Sequence, residues 1–381
     1  MIQGLAGALA STAALGCLVD EQAAAATTSR SHSSRPPAEP TSVFGDPDTS
    51  PLRLLLLGTA AGPLFVPSRA SAATLLLVGD RRYLVDAGPG AARRLGQAGI
   101  HPNSLDGVFI THMHNDHISD LFNLFWLVNP GNSYGTFEKT VPIYGPGSAV
   151  KLPPPIGVDS IPVVEPAEPP LGTKGMIEGL LQAYSYEINI RNIEQGRPVD
   201  YRELISGHDV LPPASSGATY LNPSPDMEPF PVYEDDHVKV TSIVVPHGPV
   251  FPSLAFRFDT EHGSVTFSGD TAMSDNVIRL ADRTDVLVHE AIDVDWYAAN
   301  LDGGPGLVQH MKETHTSPQD VGRVATAAMA RQVVLSHIGP GDPREVSDQR
   351  WHDAVSSTYR RRVRVGHDLE RLAVRGRVRH N

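Results

Sequence analysis

The chain of 381 residues predicts a layered α/β sandwich rather than a purely parallel doubly wound sheet. Three observations carry this. Short apolar runs closed by Gly or charged turns read as strands. They come first in meanders and only later alternate with helices. Histidines and carboxylates gather just past the ends of several of them, where a rigid strand can aim side chains into a shared space.

Taken in order, residues 1–26, "MIQGLAGALASTAALGCLVDEQAAAA", are small and apolar, and a Ser/Thr/Pro/Arg stretch follows to about Ser50. They read as a signal peptide and a flexible leader (27–50), so export to the periplasm or beyond is expected. A cytoplasmic site is the alternative, because the basic opening of such a signal is absent. A folded domain spans 51–381. It starts with strands at "LRLLLLGT", "ATLLLVG" and "RYLVDAG", a helix at "PGAARRLGQAGI" that ends at Gly99, and a strand at "DGVFITH". "HISDLFNLFWLV" then has helical spacing. Residues 131–236 hold 16 of the 33 prolines, too many for continuous helices or central strands. Only "GMIEGLLQAYSYEINIR" looks helical there, so the stretch reads as an inserted cap without strands of its own. Strands resume at "VKVTSIVVPH", "SLAFRFDT", "SVTFSGDT" and "DVLVHEA", followed by a helix at "SPQDVGRVATAAMA" and a strand at "QVVLSHIGP". The last 23 residues carry eight arginines and read as a solvated edge strand with a frayed tail.

The net charge is −12, or −10 without Asp20 and Glu21, the only charges in the first 26 residues. That balance argues against broad attraction to nucleic acid. No stretch approaches the ~18 apolar residues of a membrane-spanning helix. Cys17 is the single cysteine, which excludes an internal disulfide and thiolate metal ligation in the folded domain.

The chemistry concentrates in "THMHNDHISD", residues 111–120. His112 and His114 point to one side of an extended loop and suit one cation. Asp116 and His117 turn away as a helix begins and suit a second. His247 follows "SIVVP", Asp270 follows "VTFSG" and His337 follows "QVVLS". These seven N and O ligands call for borderline or hard divalent ions. Asp270 is the candidate to touch both ions, because a carboxylate can bridge and an imidazole cannot. His247 would complete the first shell and His337 the second. Asp86 and Asp120 read as supporting or turn residues rather than ligands. His101, His208, His237, His262, His310 and His352 read as ordinary surface or core histidines.

"THMHNDHISDL", preceded by "LVDAG" and followed by "VPHG", "FSGDT" and "LSHI", resembles the metallo-β-lactamase-fold hydrolases. The resemblance covers about Leu52 to Val374 outside the cap and implies a four-layer αββα sandwich. The second metal site has no Cys, unlike many true β-lactamases of this fold, and "VPHGPVFPSLAFRF" lacks the G-H-T-P-G of glyoxalase II and acyl-homoserine lactonases. With "LVHEA" and "THTSPQDVGRVA", the chain is similar to the branch of ribonuclease Z and its arylsulfatase-like relatives. That branch implies proton transfer by Glu290 and His315, with Asp116 also in the catalytic set. The chain has His-Thr-Ser where the branch has His-Ser-Thr.

The expected function is a dinuclear hydrolase with two divalent ions, zinc foremost, generating hydroxide between them to attack a small phosphate or sulfate ester. Ribonuclease Z action on tRNA is the alternative, disfavoured here because only 22 residues separate His247 from Asp270, where the family grows its tRNA-gripping arm. Lactonase activity and a non-hydrolytic metal-binding module are further alternatives. The cap is expected to shape the pocket, with Tyr184, Tyr186 and Arg191 facing it. A small-molecule ester is the expected partner, nucleic acid is not, and a homodimer stays open.

Overall fold

Alternation along the first strand sets the layers. In the computed structural model, which describes residues 49–126, 139–155, 158–164, 169–196, 199–300 and 304–376, β1 (Leu52–Gly58) is buried on both faces. Leu52, Leu54 and Leu56 enter one core, while Leu55 and Leu57 enter another. A period of two therefore splits one apolar run between two packing layers.

β1 belongs to a sheet with β2 (Ala73–Val78), β3 (Arg81–Val85), β4 (Gly107–Phe109), β5 (Val141–Pro146), β6 (Ile205–Val210) and β14 (Arg371–Ala373), in the order β14-β1-β2-β3-β4-β5-β6. The second sheet holds β7 (Phe230–Glu234), β8 (Lys239–Val244), β9 (Leu254–Thr260), β10 (Gly263–Phe267), β11 (Val286–Ile292), β12 (Gln332–Gly339) and β13 (Arg362–Val365), in the order β13-β12-β11-β10-β9-β8-β7. The sheets repeat one plan. β1-β2-β3 and β8-β9-β10 are antiparallel meanders, and each is extended by three parallel strands, β4-β5-β6 and β11-β12-β13. Neither half betrays this likeness in its letters.

Between the sheets lie Leu54, Tyr83, Phe109, Phe256 and Phe258, with Phe109 edge-on to Phe258 at 5.0 Å. The helices Ala91–Gln97 and Leu121–Trp126 cover the outer face of the first sheet through Leu95, Leu124 and Phe125. Pro318–Ala327 and Asp348–Ser356 bring Val321, Val324, Trp351 and Val355 into the core of the second. The four layers are helix, sheet, sheet, helix.

Residues 131–236 depart from the expectation of a strandless cap. Three strands come from them: β5 and β6 extend the first sheet, and β7 edges the second. The expected helix is two, Thr173–Ala183 and Ser185–Gln195, which meet at Tyr184. The C-terminal arginine-rich segment supplies β13 and β14, both edge strands. The expected signal peptide, 1–26, and all but the last two residues of the leader lie outside the described residues.

Candidate metal centre

The site is assembled at strand ends. Beyond β4, the N–H and hydroxyl of Thr111 donate to Asp86 at 2.8 and 2.9 Å, which pins the start of the His-rich loop against the end of β3. His114 caps a single helical turn, Asn115–Ile118, and that turn carries Asp116 and His117 inward. His247 lies three residues past β8 and Asp270 three past β10. Gly269, at φ 59°, sits where a Cβ would lie 2.5 Å from the Leu254 carbonyl oxygen, so only glycine brings Asp270 this close. His337 adopts φ 49°, a rare conformation for a non-glycine residue, at an irregularity in the β11–β12 pairing.

The seven residues fall into two overlapping groups. Nitrogens of His112, His114 and His247 lie within 4.8 Å of one another, as do ligand atoms of Asp116, His117, Asp270 and His337. Asp270 faces both groups. Its Oδ2 is 3.8 Å from His112 Nε2, 3.9 Å from His247 Nε2 and 3.2 Å from His337 Nε2, while Oδ1 is 3.4 Å from His117 Nε2. His112 Nε2, His117 Nε2 and Asp270 Oδ1 are buried with no hydrogen-bond partner among the described residues. Buried donor atoms turned toward one another in this way are costly without a cation between them. All seven are of the N and O type that divalent ions take, so the residues fit a divalent metal centre.

Support comes from a ring of fixed partners. Asp86 Oδ2 meets His117 Nδ1 at 2.9 Å, and the Thr314 carbonyl meets His247 Nδ1 at 2.9 Å. Asp116 Oδ2 accepts the Gly62 N–H at 2.9 Å. Asp120 lies outside the cluster and accepts from the Ala92 N–H and the Asn123 amide. Glu290 Oε2 meets His315 Nδ1 at 2.8 Å, and its Oε1 accepts the Thr271 N–H at 2.5 Å.

Electrostatics separate the groups by role. Burial drives His112 well below its ordinary value and His247 down to about 3, so both rings are neutral with lone pairs to offer. Burial would raise Asp116 and Asp270, but the imidazoles around them, His337 foremost, hold both carboxyls below the usual range. His315 is also desolvated, yet Glu290 outweighs that and pushes it up to about 9.

The mouth of the cluster is a cleft of about 310 Å³ whose wall includes Gly62, Pro63, Asn115, Val250, His310 and His315. None of the described residues of 131–236 lines it. Tyr184 stacks on Phe122 with ring centroids 4.5 Å apart, Tyr186 is exposed, and Arg191 pairs with Glu187 one turn away at 2.5 Å. Gly62, Pro63 and His310 were not anticipated. The first two follow β1, a strand end like the others, and His310 lies just over one helical turn before His315, two signals present in the letters.

Comparison with known proteins bears on the chemistry. The metallo-beta-lactamase superfamily model matches residues 67–184, and the beta-lactamase superfamily domain model matches 206–338. A ribonuclease Z of Mycobacterium bovis is 26% identical over 338 residues, spanning 86% of this chain and 99% of its own. Among solved structures, the metallo-beta-lactamase fold protein YhfI of Bacillus subtilis aligns with a TM-score of 0.56 at 18% identity, over 84% of this chain and 99% of its own. The short form of human tRNase Z aligns with a TM-score of 0.55 at 18% identity and the same coverage. The two structural likenesses concern the fold.

Two expectations are corrected by these relatives. A small ester as partner, with nucleic acid not expected, gives way because curated relatives matched over 96–99% of their own length are named ribonuclease Z. Net charge is a sum over the whole chain, whereas a phosphodiester meets the local field of its site. The expectation of export is overturned by the same relatives, which match 86% of this chain and are named ribonuclease Z. No described helix is long and apolar enough to cross a membrane.

Proposed function

This chain belongs to the metallo-beta-lactamase superfamily, and from that premise we propose that it is an endonuclease of the ribonuclease Z kind, cutting precursor tRNA near its 3′ end. Metal-dependent hydrolysis belongs to the family; RNA as substrate is the proposal. The observation that carries it is shared length, because the ribonuclease Z of Mycobacterium bovis matches over 99% of its own chain. A shared motif alone would cover far less.

In this reading His112, His114 and His247 would hold one divalent ion, zinc foremost, and Asp116, His117 and His337 a second, with Asp270 facing both groups. When bound, such ions lower the pKa of a water from about 15.7 toward neutrality and offset charge at the attacked phosphorus. The chain's own groups do the rest. Asp86 and the Thr314 carbonyl fix the rings of His117 and His247 so that each turns Nε2 inward. Gly62 holds Asp116 in place through its N–H. Glu290, anchored on Thr271, takes the Nδ1–H of His315 and leaves Nε2 free to face the cleft. His315 keeps its proton at neutral pH and donates it to the departing ribose oxygen.

The test uses precursor tRNA with a 3′ trailer and protein of measured metal content. A new 3′ end, weakened by added salt and abolished by a chelator, is the expected result. Intact RNA at every ionic strength, with the ions bound, overturns the proposal.

A further inference from the structure

Most rings in the cluster have a fixed partner on the nitrogen that faces away from it. His117 Nδ1 has Asp86 and His247 Nδ1 has the Thr314 carbonyl, each at 2.9 Å, and His112 Nδ1 lies 3.2 Å from the Thr111 hydroxyl. His337 is different. Its Nε2 turns inward, 3.2 Å from both Asp116 Oδ2 and Asp270 Oδ2. Its Nδ1 is buried and without a hydrogen-bond partner among the described residues. Glu290 Oε2 stands 3.9 Å from it, beyond hydrogen-bond reach.

A second buried nitrogen shares that condition, His289 Nε2. His289 Nδ1 lies 2.8 Å from the Glu290 carbonyl oxygen, which can only accept. Nδ1 therefore carries the proton, and Nε2 of the neutral ring is an acceptor. His337, turned inward through Nε2, keeps its proton on Nδ1 and is a donor. One orphan donates and the other accepts. Both residues belong to the lining of a cavity of about 40 Å³ among mostly buried residues, with Ser336 in the same wall. A water needs about 10–15 Å³ and two or more polar partners.

We infer that an ordered water in this cavity accepts from His337 Nδ1–H and donates to His289 Nε2. His289 then acts as a positioning residue that fixes the ring of His337 from behind. The inference rests on the reading of His337 as a metal ligand. Partners of this outer kind are worth about 10–100-fold in metal affinity.

The test combines a crystal structure of the zinc-loaded protein, at a resolution that shows waters, with elemental analysis after timed exposure to a chelator. Unaltered protein is compared with His289→Phe, which removes the acceptor, and His289→Gln, which keeps one. Expected are a water within hydrogen-bond distance of both nitrogens and loss of one ion about 10–100-fold more readily in His289→Phe. His289→Gln is expected to retain both ions nearly as the unaltered protein does. A dry cavity with His337 paired directly to Glu290, or unchanged ion retention in His289→Phe, overturns the inference. Should His289→Phe fail to fold, the water in the unaltered protein and the behaviour of His289→Gln decide the matter. Unaltered protein that binds no divalent ion overturns the proposed function instead, which separates the two failures.

Discussion

Glu290→Gln isolates the role of the buried carboxylate without changing its size. Glu290 is about 2% exposed and divides its oxygens between the Thr271 N–H and His315 Nδ1. The substitution removes the negative charge that pushes His315 up to about 9, and burial then pulls the imidazole to its ordinary value of about 6.5 or lower. A group that must be protonated to act contributes below its pKa and loses that contribution as pH rises through it. At pH 8 the protonated fraction falls from about 0.9 to about 0.03, roughly a 30-fold loss. Bound cations would lower both values through their own field, so the direction in which the basic limb moves, rather than the fraction at any one pH, is what the prediction turns on. The assay is single-turnover cleavage of precursor tRNA between about pH 6 and 10 at saturating metal. The basic limb of the rate profile should move down by about 2.5 pH units, with little loss at the acid end. A basic limb that stays in place refutes the assignment of His315 as the acid.

The other predictions concern the frame and the ligands. Asp270→Ala removes the carboxylate that faces both groups of imidazoles, and bound divalent ion measured by elemental analysis should fall while circular dichroism stays unchanged. Gly269→Ala places a Cβ 2.5 Å from the Leu254 carbonyl oxygen at φ 59°, which should cost about 2 kcal/mol or more in urea unfolding. Asp235 ties the sheets together by accepting from the hydroxyls of Tyr83 and Tyr233 and the N–H groups of His237 and Val238. Asp235→Ala should cost about 3 kcal/mol at pH 7, because the buried Tyr83 hydroxyl is left unpaired. Burial alone would raise Asp235, but those bonds hold it below the usual range. Its contribution is therefore complete above about pH 3.9 and fades as pH falls through the lower folded value, so the gap between Asp235→Ala and the unaltered protein should narrow in acid.

The clustering of these seven side chains was legible because their chemistry is compressed into short intervals. Four of the seven lie between His112 and His117, and the others each follow an apolar run too regular to mistake for anything but a strand. β5 and β7 were illegible for a physical reason. Pro142 and Pro146 bracket the two residues of β5, Ile143 and Tyr144, that pair with β4, so neither proline interrupts that ladder. Pro231 lies in β7, an edge strand, where a missing N–H is tolerated. A proline count cannot see that placement. Arg191 was expected to face the pocket, but Glu187 stands one helical turn before it and takes its guanidinium. The small-ester expectation leaned on an acidic total, which says nothing about the field at one cleft.

The central claim is that seven side chains gather two divalent ions. Zinc-edge anomalous scattering from crystals of the zinc-loaded protein tests it most directly. Two peaks are predicted, one among His112, His114 and His247 and one among Asp116, His117 and His337, with Asp270 between them. A map without a peak in either place contradicts the account.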